Sequence, residues 1–467
     1  MLGALLAAGL ALAGAPYLTP LPGRDACVTQ GGAGGCQPGR ALDKVSGLVV
    51  TRDGRNVYAA VRDSGAVAAF RRDRRTGALR QLEGVAGCVG GTPADVCGSG
   101  RNLVGARALT LSPDGRNVYV AGAGGLAVLA RDPRTGALRQ LSGRRGCVTE
   151  SGQDGCADGR AVSTALWVAA GREGRSLYLL GHSDAVAVFR RDPGTGAVHQ
   201  RAGALGCVRE ARPGPPSCAS GRGLGATRAA AVTRSGRALY VGGLDGAVTV
   251  FRRDPHSGTI AQLPGRRGCL ASHRAGCARV RGLHGPHSLT LGPDERDLYV
   301  AVSLAVDPQS GVVLLRRDPD DGSLTQPPGS AGCVNADGSS GCAKGRGLRG
   351  AHSLELDPSG RRALVASEFP TGSIALFARH PGSGRLRQPA LSQGCLNADG
   401  AEGCGVVVAL RGAHLIVPAP DWRQVYVPLI DGNGVLALRI NTRTATRIGR
   451  VGSASERKSR TSPASPQ

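Results

Sequence analysis

The sequence predicts an all-β chain folded as a single seven-bladed β-propeller with four antiparallel strands per blade. Three observations carry this reading. The 14 cysteines fall as seven pairs whose first members lie 61, 59, 60, 62, 64 and 62 residues apart, and a fixed period along a chain marks a repeat architecture. Each period repeats the same short apolar segments, separated by turns rich in Gly, Pro and Asp. Gly 74 and Pro 28 together exceed a fifth of the 467 residues, a composition that favours turns over long helices.

Within a period, an apolar first strand leads into a turn such as Ser112-Pro113-Asp114-Gly115. A second strand follows and carries Tyr58, Tyr119, Tyr178, Tyr240, Tyr299 or Tyr426, with Leu364 in the sixth unit. A third, alternating strand ends near Phe70, Leu129, Phe189, Phe251, Leu315, Phe377 or Leu438. A turn of the Arg-Asp-Pro-x-Thr-Gly type then precedes a fourth strand, for example Ala137-Leu138-Arg139-Gln140-Leu141. Gly tolerates positive φ and Pro pre-sets its own φ, so these turns suit hairpins. Four antiparallel strands per unit, repeated radially, make propeller blades whose faces bury one another. A core of Val, Leu and Ala follows, since only 14 residues are aromatic.

The ring must also close. Residues 18–27, LTPLPGRDAC, match 260–269, IAQLPGRRGC, slot for slot. The N-terminus therefore holds an outer strand with no blade in front of it, and this strand is expected to complete the last blade. The alternative is an independent fourth strand near 444–451. Residues 1–15 read as an export signal: an apolar stretch ending in Ala13-Gly14-Ala15, although no Lys or Arg precedes Arg24. The organisation expected is signal 1–15, propeller 17–445 and a disordered basic tail 446–467, in a secreted or extracytoplasmic monomer. Beyond the first fifteen residues no apolar run approaches the length of a membrane span.

The cysteine pairs are Cys27 and Cys36, Cys88 and Cys97, Cys147 and Cys156, Cys207 and Cys218, Cys269 and Cys277, Cys333 and Cys342, and Cys395 and Cys404. An even count, local spacing and an export signal predict seven local disulfides. Structural zinc sites use a closer C-x2-C spacing, which is absent. Asn335-Ala336-Asp337-Gly338 and Asn397-Ala398-Asp399-Gly400 read as turns, because no complete calcium loop with a downstream Glu is present.

The net charge is +24, and 55 of the 58 cations are Arg. They recur in one slot, as in Phe70-Arg71-Arg72-Asp73 and Phe251-Arg252-Arg253-Asp254. A repeated slot spreads charge round the molecule on a solvated surface, with an anionic polymer as the alternative explanation. Few aromatic stacking platforms are available for single-stranded nucleic acid, and no specific nucleic-acid partner is expected.

One slot carries candidate chemistry. At the entry to the first strand the seven units place Ser46, Arg107, Leu166, Arg228, His287, His352 and His414. First strands line the channel of a propeller, so His287, His352 and His414 are expected side by side at one mouth with two arginines across from them. Arg107, Arg228 and His414 are the candidate ligand-binding residues. His287, His352 and Glu368, which follows a second strand, are the candidate catalytic ones. Imidazoles serve as bases or metal ligands, and arginines hold carboxylates or phosphates in bidentate fashion. No cofactor is expected, a metal at the histidines being the alternative, and polar residues that merely tie down loops are a further reading. Nucleophile elbows, Walker loops, H-E-x-x-H and C-x-x-C motifs are absent.

The chain resembles the lactonase-like seven-bladed β-propellers, which include bacterial 6-phosphogluconolactonases and fungal carboxymuconate cyclases. The resemblance covers about residues 25–440. It rests on Ser112-Pro113-Asp114-Gly115-Arg116-Asn117-Val118-Tyr119-Val120 and on the strands of Val-x-Val-Phe-x-Arg-Asp-x-x-Thr-Gly type. Pro286-His287 matches a Pro-His pair of the family, and His352 and Glu368 match a second His and a Glu of its channel site. The resemblance implies lactone hydrolysis or its reverse, with His or Glu activating water and Arg holding the acid group. The paired cysteines and the export signal are unlike cytoplasmic sugar-acid lactonases. The function expected is binding of a small anionic ligand or a partner at the channel mouth. The alternatives are a lactone hydrolase with a channel His as base, and a scaffold for an anionic cell-surface polymer.

Overall fold

The computed structural model describes residues 17–90, 96–211, 217–304, 307–370, 372–390 and 393–441. The expected signal, the basic tail and the alternative strand near 444–451 lie outside them. The seven units form seven sheets, and each first strand packs against those of neighbouring blades around a common channel. Among the described residues no helix is long and apolar enough to cross a membrane.

Blade 3 shows the pattern. Ala165–Ala170, Ser176–Gly181 and Ala185–Arg191 form an antiparallel meander from the channel outward. The fourth strand departs from the expectation, because it is broken in two. Val198–Gln200 and Cys207–Glu210 both pair with the third strand, separated by the short 3-10 turn Gly203–Gly206. After the disulfide loop, Ala219–Gly221 returns parallel to Cys207–Glu210. Most blades therefore carry six strand segments, the last of them parallel, where four antiparallel strands were expected. The cause is local: in blade 3 the turn opened by Gly203 before the first cysteine interrupts the ladder, and the disulfide brings the chain back alongside.

Closure occurs at blade 7. Leu18–Pro20 and Cys27–Gln30 pair antiparallel with Gly434–Ile440, so the N-terminal segment supplies the outer strand of the last blade. All seven disulfides form, each within its own loop, with Cα–Cα distances of 4.8–5.0 Å. The Asn335 and Asn397 segments are turns, in which the side-chain carbonyls accept the backbone N–H of Gly338 and Gly400 at 2.8 and 2.7 Å.

The repeated arginine slot requires a correction. The arginine that closes the third strand, whether preceded by Arg or by Ala, is not at the surface: Arg72, Arg131, Arg191, Arg253 and Arg379 are buried. Their Nε atoms, with that of Arg317, donate to the tyrosine hydroxyl of the preceding blade at 2.5–3.0 Å. Each hydroxyl in turn donates to the carbonyl of the Gly that ends the following blade's Thr-Gly-type turn, at 2.6–2.8 Å. A guanidinium buried without partners would be costly, and here each is satisfied by a hydroxyl and by carbonyl or carboxylate oxygens. Arg71, Arg190 and Arg252, which precede the buried arginine in three blades, are exposed. A second clamp repeats beside it. The Gln140 amide accepts the Arg101 N–H at 2.8 Å and donates to the Arg101 and Gly146 carbonyls, both at 2.9 Å.

The junction between blades 6 and 7 lacks both clamps. Leu364 replaces the tyrosine and Ile440 its arginine; Pro20 replaces the glutamine and Val408 its arginine. Leu364 and Ile440 join one apolar cluster with Leu18, Val425, Leu436 and Leu438. The partners have changed together, so no half-clamp is left buried.

Candidate functional site

The slot residues are placed by a shared backbone irregularity. In the first strands of blades 1, 3, 4, 5 and 6 the pairing with the second strand shifts by one residue across Ser46, Leu166, Arg228, His287 and His352. Each is the extra residue of a β-bulge, a device that re-aims a side chain out of the pleat. Arg107 immediately precedes the Ala108–Leu111 strand, and His414 follows the isolated Ala413–Leu429 bridge. All seven side chains line one cavity of about 420 Å³ in the channel.

His287 and His352 have ring centroids 4.4 Å apart, and His414 stands edge-on to His352 at 5.3 Å. The predicted histidine trio is therefore contiguous, but its members differ in chemistry. His352 Nε2 lies 2.8 Å from Arg228 Nη2. A guanidinium only donates, so this nitrogen accepts and His352 is the neutral Nδ1–H tautomer. Burial and the Arg228 cation hold its pKa well below the usual histidine value. His352 thus orients Arg228 and has no free Nε2 for proton transfer. His287 donates Nδ1–H to the Gly285 carbonyl at 2.7 Å, which leaves its Nε2 lone pair open. Burial, then Arg228, lowers its pKa to about 4. His414 is buried, with Nε2 3.0 Å from the Ser46 carbonyl, and so ties blade 7 to blade 1.

The cations are Arg107, Arg228 and Arg62. Burial and Arg107 bring Arg228 down to about 10, so it stays charged at neutral pH. Arg107 is lowered by burial and by Arg62. Glu368 lines the same cavity, its carboxyl raised by burial against the opposing pull of Arg228.

Two charged lining residues were not singled out from the sequence, Arg62 and Glu355. Arg62 follows the second strand of blade 1, in the slot that Glu368 fills in blade 6, so a comparison of that slot would have found it. Glu355 lies on the first strand of blade 6, below the histidines. Where the other blades set Val49, Thr110, Ala169, Ala231, Thr290 and Val417 opposite their tyrosines, blade 6 sets Glu355 opposite Leu364. Among the described residues no three His, Cys, Asp or Glu side chains are grouped so as to hold a metal ion.

The blades, their closure and this channel define a lactonase-like seven-bladed propeller fold. Solved structures of the same fold include a candidate 6-phosphogluconolactonase from Bacteroides uniformis, 19% identical over 81% of this chain and 89% of that one, with a TM-score of 0.53. Another candidate 6-phosphogluconolactonase, from Bacteroides fragilis, is 20% identical over 73% and 82%, with a TM-score of 0.50. The periplasmic gluconolactonase of Pseudomonas aeruginosa is 22% identical over 73% and 83%, again with a TM-score of 0.50. No protein-family model matches the sequence, and no curated protein matches it.

Proposed function

We propose that the channel mouth binds a small anionic ligand, of the class of hydroxy acids and their lactones, in an exported protein. One observation carries this reading: Arg62, Arg107 and Arg228, from three blades, converge with His287 on a single cavity. Partly desolvated guanidinium groups attract and orient a carboxylate or a polarised carbonyl oxygen. His352 holds Arg228 in place at 2.8 Å. Seven local disulfides suit an oxidising compartment outside the cytoplasm. The polymer-scaffold reading loses weight, since much of the repeated arginine is buried in clamps.

Lactone hydrolysis is the second reading, favoured by the open Nε2 of His287 and by the gluconolactonase among the structural neighbours. In it, His287 Nε2 takes a proton from water, and the oxygen attacks the lactone carbonyl. Arg228 or Arg107 stabilises the oxyanion. The ring C–O bond then breaks, and the leaving alkoxide takes the proton to give the hydroxy acid. A pKa near 4 makes His287 neutral but a weak base, so slow turnover is expected.

Titration calorimetry with gluconate tests the binding reading. Wild-type protein should bind, and Arg228→Met should weaken binding about 10- to 100-fold, the range of a hydrogen bond to a charged group. Equal affinity in Arg228→Met and wild type would remove the mouth as the site. Hydrolysis of glucono-1,5-lactone above the uncatalysed rate, abolished in His287→Ala while gluconate still binds, would establish the second reading.

A further inference from the structure

The charges in the cavity are arranged in two tiers. Arg62, Arg107, Arg228 and Glu368 stand at the mouth, and Glu355 is the other charged residue lining it. Glu355 lies three residues beyond His352 along a strand, about 10 Å further into the channel at roughly 3.3 Å per residue. The same cavity is also lined by apolar residues, among them Leu48, Leu109, Trp167 and Ile416. Glu355 is half-buried in the channel wall, and its carboxyl stays accessible from the cavity. Among the described residues no hydrogen bond or ion pair engages it, and burial raises its pKa to about 8.

The fold does not need this group. The six other blades fill the position with Val, Thr or Ala and keep the same register. A half-buried carboxyl that lines a cavity without a partner is poorly solvated, and such titratable groups gather at functional sites. If the position served only to hydrogen-bond a hydroxyl, a neutral side chain would do so without the ionisation penalty. What a carboxyl adds is the capacity to become an anion against a cation.

We propose that Glu355 forms an inner subsite for the protonated amino group of a ligand whose acid group is held by the arginines at the mouth. The channel is then complementary to a small zwitterion, negative end outward and ammonium end inward. When the ammonium arrives, Glu355 ionises and releases its proton to solvent. The inference rests on the mouth being an acid-binding site for its outer half only.

The test uses the full chain and three probes: gluconate, 1-amino-1-deoxysorbitol and 6-amino-6-deoxygluconate. Calorimetry should show 6-amino-6-deoxygluconate binding about 10- to 100-fold tighter than gluconate. Glu355→Gln, which keeps the shape of the side chain, should erase that preference and leave gluconate affinity unchanged. Binding of 6-amino-6-deoxygluconate should also release protons, seen as a buffer-dependent heat that Glu355→Gln lacks. Binding of 1-amino-1-deoxysorbitol that depends on Glu355, with no binding of gluconate, would keep the inner subsite and reject the acid-binding mouth. No preference for either amine in wild-type protein, or a preference that survives in Glu355→Gln, would overturn the proposal.

Discussion

At the scale of single residues, the environment sets a different task for each member of the histidine trio. His287 has its Nδ1 fixed on a carbonyl and its Nε2 open, whereas His352 gives its Nε2 to Arg228. All three imidazoles are pushed down by burial, His287 to about 4. In the unfolded chain these groups titrate near 6.5. Between pH 6.5 and 4 the unfolded state therefore binds more protons, and stability falls as the pH falls. Glu355 has the opposite sign. Its folded pKa near 8 exceeds the unfolded value, so the folded state gains stability as the pH falls from above 8 to about 4.5. Melting temperatures across pH 4 to 9 should separate the two. His287→Asn should flatten the loss on the acid side, and Glu355→Gln should raise the melting temperature at pH 9. Acid-side curves that superimpose for wild type and His287→Asn would contradict the burial assigned to that imidazole.

At the scale of the element, much was legible because the repeat prints it. Cysteine spacing gave the unit, and turn chemistry gave the hairpins. The match of LTPLPGRDAC to IAQLPGRRGC anticipated the strand Leu18–Pro20 on Gly434–Ile440. The slot comparison brought His287, His352, His414, Arg107 and Arg228 to one place. The bulges that re-aim those side chains were not legible, since strands as different as TRAAAV, PHSLTL and AHSLEL share the same one-residue register shift. Nor was the burial of the arginine that closes the third strand, because solvated and clamped arginines look alike until the neighbouring tyrosine is in view. Glu355 was not legible for a related reason: it stands alone in a slot that the other blades fill with Val, Thr or Ala, so no repeat marks it. The clamp carries its own prediction. Tyr119 accepts from Arg191 and donates to Gly196 across a blade boundary. Tyr119→Phe leaves both partners buried and unsatisfied and should cost about 1–3 kcal/mol. A double-mutant cycle with Arg191→Met should return a coupling of about 0.5–3 kcal/mol in urea unfolding. Zero coupling would mean that the pair does not join the blades.

At the scale of the whole molecule, the ring converts sequence repetition into convergence. Each blade contributes one side chain per slot to the channel, and differences between blades become differences around and along it. Six polar inter-blade clamps and one apolar junction hold the ring, and the N-terminal segment locks its two ends together. The result is a cationic mouth above one half-buried carboxyl, in a frame stapled by seven disulfides. The most direct test of this account is a crystal structure of the protein grown with gluconate. The account predicts the carboxylate at hydrogen-bond distance from the Arg228 guanidinium, beside adjacent His287 and His352 rings, with the hydroxyl chain running inward toward Glu355. Gluconate bound outside the channel, or His287 and His352 found far apart, would contradict it.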